Sequence, residues 1–92
     1  MKIVKIADVA SHKTGSLNNL SRKQITEKLG IEPFKYHSDD GDGKVAYEWM
    51  FTLDGVECAI WDWKGGGKFN EHSTYGPHTL LKQLFDSNYS QF

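Results

Sequence analysis

Residues 45–64, VAYEWMFTLDGVECAIWDWK, decide the fold, because two alternating apolar runs meet at Asp54-Gly55. Asp-Gly between such runs is the strongest local signal of a β-hairpin: a two-residue turn needs positive φ at both central positions, and these residues tolerate it. The turn then sets the register. Leu53 faces Val56, Phe51 faces Cys58, Trp49 faces Ile60 and Tyr47 faces Asp62, all on one side of the ribbon. The other side carries Thr52 opposite Glu57, Met50 opposite Ala59, Glu48 opposite Trp61 and Ala46 opposite Trp63.

The first side is a core face. The second is mixed, with tryptophans, a methionine and carboxylates together, and it has two readings. It is a surface made for contact with a partner, or it is covered by the chain's own termini or loops.

Outward from the hairpin, an opening strand is expected at Lys2–Ala7, where Ile3, Val4 and Ile6 supply the apolar content. Residues 11–19, SHKTGSLNN, are polar and contain glycine, and read as a loop. A helix follows with a full set of boundary signals. Ser21 is the N-cap, Gln24 completes a capping box, and Leu20 with Ile25 forms a hydrophobic staple. Gly30 ends the helix in the left-handed conformation, Ile31 closes the hydrophobic contact, and Pro33 blocks continuation.

Residues 36–44, YHSDDGDGK, read as an exposed acidic loop. DDGDG lacks the alternating carboxylates and terminal glutamate of an EF-hand loop, and GGGK at 65–68 lacks the spacing of a phosphate-binding P-loop. A second helix is expected from Gly76-Pro77 through about Phe85, with Leu80, Leu81, Leu84 and Phe85 as its apolar stripe. That stripe suits the core face of the hairpin. The expected architecture is one α+β domain, residues 1–92, with a small antiparallel sheet in the order strand-helix-strand-strand-helix. Both helices pack mainly on one face, and the tail 87–92 either docks or stays mobile.

Composition narrows function. Hydrophobic residues make up 38% and charged residues 25%, which is ordinary for a soluble globular domain. One cysteine, Cys58, leaves no internal disulfide, and its place on the core face makes it a small buried hydrophobe rather than a nucleophile. The start of the chain has no apolar run of signal-peptide length and no stretch is long enough to span a bilayer, so a cytoplasmic protein without a membrane partner is expected. Charge is uneven along the chain. Residues 1–36 hold seven Lys and Arg against three acids, a net +4, whereas residues 37–92 hold four against nine, a net −5.

The four histidines, His12, His37, His72 and His78, show no metal-ligand spacing, and no nucleophile elbow or acid–base constellation is legible. Neither catalytic residues, a metal nor a cofactor is therefore expected. A small enzyme would require His72, His78 and Asp62 to converge. Trp61 and Trp63, with Lys64 and Lys68 beside them, would also suit stacking of single-stranded bases, but Glu48, Glu57 and Asp62 on the same ribbon oppose a phosphate backbone. A protein partner suits the composition better, since tryptophan, tyrosine and methionine concentrate at interface hot spots and carboxylates select a basic partner. The expected partner-binding residues are Trp61, Trp63, Met50, Glu48, Glu57 and Asp62, with Asp39, Asp40 and Asp42 of the acidic loop. The Trp face also admits a homodimer.

The run VECAIWDWKGGGKFNEHSTYGPHTLLKQLF, residues 56–85, resembles short open reading frames of bacteriophages, through its AIWDWKG strand and STYGPHTLLKQLF helix start. Small acidic phage proteins with no apparent active site are often inhibitors of host defence, the anti-CRISPR proteins being the best-known group. The resemblance implies a partner such as a CRISPR-Cas effector complex, a host nucleoprotein whose basic, nucleic-acid-binding surface is blocked. It assigns no functional residue.

Overall fold

The hairpin is present in the register that the turn dictates. In the computed structural model, which describes residues 1–9, 12–37, 45–62 and 71–91, the long strands are Val45–Leu53 and Val56–Asp62. They pair from Glu48↔Trp61 to Leu53↔Val56, and Asp54 and Gly55 take φ of 49° and 84°.

In chain order the elements are β1 (Ile3–Lys5), β2 (Gly15–Leu17), α1 (Arg22–Leu29), β3 (Phe34–His37), β4 (Val45–Leu53), β5 (Val56–Asp62), β6 (His72–Tyr75), α2 (His78–Phe85), a 3₁₀ turn (Asp86–Asn88) and β7 (Tyr89–Gln91). Among the described residues this is an α+β fold with a seven-stranded antiparallel sheet and two helices. The strand order is β1-β4-β5-β6-β2-β7, and β3 shares the outer edge of β4 with β1.

Four strands lie beyond the three expected. β2 forms within the segment read as a loop, β3 begins directly after Pro33, β6 precedes α2, and the tail contributes β7, which pairs with β2. The opening strand is shorter than expected, Ile3–Lys5. Asp54 ties it to the hairpin turn: its N–H donates to the Lys2 carbonyl at 2.9 Å, and its carboxylate accepts from the Lys2 N–H at 2.7 Å.

α1 begins and ends where its boundary residues dictate. Ser21 accepts from the Gln24 N–H at 3.2 Å while the Gln24 side chain accepts from the Ser21 N–H at 2.8 Å. Gly30 closes the helix at φ 72°. α2 starts one residue later than its signal, with Pro77 as N-cap and no side chain capping the first turn.

The core lies on the first hairpin face. Trp49, Phe51, Leu53, Cys58 and Ile60 form one buried cluster with Ile25 and Leu29 of α1 and Leu81 and Phe85 of α2. Leu17 and Tyr89, from the two short strands at the far side of the sheet, complete it. Trp49 fixes α1 as well as filling space, because its indole N–H donates to the Thr26 hydroxyl at 3.2 Å. At the outer end of that helix the Arg22 guanidinium sits 3.5 Å over the Tyr47 ring.

Candidate interaction surface

Strand alternation sets Phe34, Glu48, Trp61 and Ser73 in register across β3, β4, β5 and β6, on the face away from the helices. Neighbours in such a row stand about 5 Å apart at Cβ, so the Glu48 carboxylate is framed by two aromatic side chains. The next row is Met50, Ala59 and Tyr75, and the third is Val4, Thr52 and Glu57. Phe34, Glu48, Trp61 and Tyr75 are all half-buried.

The second row is closed by the chain itself. Met50 is only 5% exposed and Ala59 fully buried, in a cluster with Val9, against which Ile6, Phe34, Trp61 and Tyr75 pack. The chain just beyond β1 supplies the cover: the Ile6 N–H extends the β1–β4 ladder to the Met50 carbonyl at 3.0 Å, and Val9 joins Met50 and Ala59 in the buried cluster. Met50 is therefore not part of an open contact surface, and the alternative reading of the face, cover by the chain's own terminus, holds for it. Trp61 lies at the margin of this cover.

Of the other expected contact residues, Glu57 is exposed in the third row, near the hairpin turn. Asp62 belongs to the opposite face, where its carboxylate accepts from the Tyr47 N–H at 2.8 Å, so it does not join Glu48 and Trp61. Trp63, Asp39, Asp40 and Asp42 lie outside the described residues, as does the GGGK segment.

The histidines occupy separate settings. His72 is buried beside Trp49, with ring centroids 5.7 Å apart and edge to face, and its Nδ1 has no hydrogen-bond partner among the described residues. Burial holds its pKa down, the Asp62 carboxylate across the strand pair opposes this, and the Arg22 charge adds to it. His78 Nδ1 hydrogen-bonds the Tyr89 hydroxyl. The exposed His12 leans on Tyr75, 5.1 Å between centroids. Cys58 is fully buried, which pushes its thiol up to about 11 and keeps it in the unreactive protonated form. Among the described residues no three His, Cys, Asp or Glu side chains gather as metal ligands, and no helix is long and apolar enough to cross a membrane.

Comparison with protein-family models, curated proteins and solved structures returns no match for this chain.

Phe34 and Tyr75 complete the surface, and the sequence alone does not single them out. Their signals are present but short. FKYH after Pro33 and HSTY before Gly76 are four-residue strands bounded by residues that break regular structure, and each places one aromatic on the second face.

Proposed function

We propose that this chain is a non-enzymatic protein-binding module, a phage-encoded inhibitor that occludes a basic, nucleic-acid-binding surface of a host defence complex such as a CRISPR-Cas effector. The observation that carries the binding part is the row Phe34, Glu48, Trp61, with Tyr75 diagonal to it. Aromatic rings set beside a carboxylate suit an arginine or lysine side chain, drawn by the negative charge and held by cation–π contact. The Phe34 ring already takes a cation–π contact within the chain, with Lys5 Nζ 4.5 Å from its centroid. The inhibitor part rests on the resemblance of residues 56–85 to phage reading frames.

Pull-down from a bacterial lysate with wild-type protein, Glu48→Gln and Trp61→Ala tests this reading. A basic nucleic-acid-binding protein should be retained by the wild type and lost, at least tenfold, by both variants. If nothing is retained while the chain binds labelled single-stranded oligonucleotide with steep salt dependence, the aromatic row serves base stacking and the proposal fails.

A further inference from the structure

On the helix-covered face, at the far side of the sheet from β1 and β3, a cavity of about 360 Å³ opens between α2 and β7, lined by His78, Thr79, Lys82, Tyr89 and Gln91. Its floor is rigidly built. Tyr89 is 4% exposed and lies across Gly15 of β2, where a Cβ would come within 2.6 Å of the phenol oxygen. The same phenol hydrogen-bonds His78 Nδ1. Burial raises the Tyr89 pKa, so the phenol stays protonated; when its O–H donates to Nδ1, the ring N–H lies on Nε2.

Every polar group on the wall then has a donor to offer: the His78 Nε2–H, the Thr79 hydroxyl, the Lys82 ammonium and the Gln91 amide. Among the described residues, no carboxylate side chain lines the cavity. A set rich in donors, fixed on one side by the locked His78–Tyr89 pair, matches an anion with several oxygens.

We infer that the cavity between α2 and β7 is a binding site for a phosphoryl group, held by Lys82, Thr79, His78 and Gln91 over the His78–Tyr89 pair. The site is separate from the Phe34–Glu48–Trp61 row, which lies on the other face of the sheet, and stands whether or not that row binds a protein.

Titration of the full chain with inorganic phosphate, followed by backbone and side-chain NMR shifts at matched ionic strength, tests it. Saturable shifts should concentrate on Thr79, Lys82 and Gln91. Affinity should fall at least tenfold in Lys82→Gln, a change at an exposed position that leaves the melting temperature in place. Acetate should bind more weakly than phosphate, because it offers only two oxygens. Tyr89→Phe frees His78 and should weaken binding while leaving the Lys82 contact, a smaller loss than Lys82→Gln. Shifts that also arise with chloride at equal ionic strength, spread over the surface lysines, or persist unchanged in Lys82→Gln overturn the assignment.

Discussion

Met50→Ala measures who covers the second face. The substitution removes Cγ, Sδ and Cε from a side chain that is 5% exposed and enclosed by Val9 and Ala59. Three methylene-sized groups at about 0.8 kcal/mol each give about 2.4 kcal/mol of lost transfer energy. A residual cavity under a segment tied by the Ile6–Met50 hydrogen bond raises the cost to about 3 kcal/mol, within the usual range for a buried Met→Ala change. For a domain of this size each kcal/mol moves Tm by about 4–8 °C, so a drop of roughly 12–24 °C is expected. Urea unfolding followed by tryptophan fluorescence supplies the free energy, with Glu57→Gln as an exposed control on the same face expected within about 0.5 kcal/mol of wild type. Val9→Ala completes a double-mutant cycle, and a coupling above about 0.5 kcal/mol identifies Val9 as the cover. A loss below about 1 kcal/mol, with no coupling to Val9, would refute the closed face and return Met50 to the contact surface.

Two further outcomes follow from buried groups. His72 has a depressed pKa in the folded chain, so above its unfolded value near 6.5 both states are neutral and pH does not matter. As pH falls through 6.5 the unfolded state takes the proton first and stability declines by up to about 1.4 kcal/mol per pH unit, until the folded pKa is reached. The difference in stability between wild type and His72→Gln should therefore change from pH 7.5 to 5.5 against the wild type, and a constant difference would exclude the linkage. At Gly76, where φ is 142°, a Cβ would lie only 2.7 Å from Cys58 Sγ, whereas Gly30, at φ 72°, has open space around it. Chemical denaturation should show Gly76→Ala costing more than the roughly 1–2 kcal/mol expected of Gly30→Ala, and equal costs would show that the Cys58 contact relaxes freely.

The hairpin and α1 are legible because their information is local. Asp54-Gly55 fixes a turn, the turn fixes a register, and Ser21, Gln24 and Gly30 satisfy the helix ends with groups three or four residues away. β2 and β7 carry no such signal, and that of β6 is confined to four residues before Gly76. GSL, HSTY and YSQ are too short and too polar to alternate visibly, and they are strands because each pairs with a segment far along the chain, Ser16 with both Ser73 and Ser90. Leu17 and Tyr89 show what that pairing achieves, bringing two isolated apolar residues into the core beside Ile60 and Leu81. The same limit applies to the site. Glu48 opposite Trp61 follows from the turn, but Phe34 on one side and Ser73 on the other depend on which strands flank the hairpin.

Strand alternation divides a ribbon into two faces without saying what lies over either, and the N-terminal segment supplies the missing step. As a continuous strand to Ala7, it would run along the β4 edge and leave Met50 and Ala59 open. Instead the ladder ends with the Ile6 N–H bond to the Met50 carbonyl, and beyond it Val9 packs with Met50 and Ala59. The cover reaches the second row and leaves the first half-open, because Phe34 occupies the β4 edge beyond the point where β1 ends. Sharing one edge between β1 and β3 thus buries enough apolar surface to hold the sheet while leaving Glu48 framed by Phe34 and Trp61. A partner that binds this row must meet a surface whose aromatic rings are already braced from below by Val9 and Met50, so little side-chain entropy remains to be lost on contact.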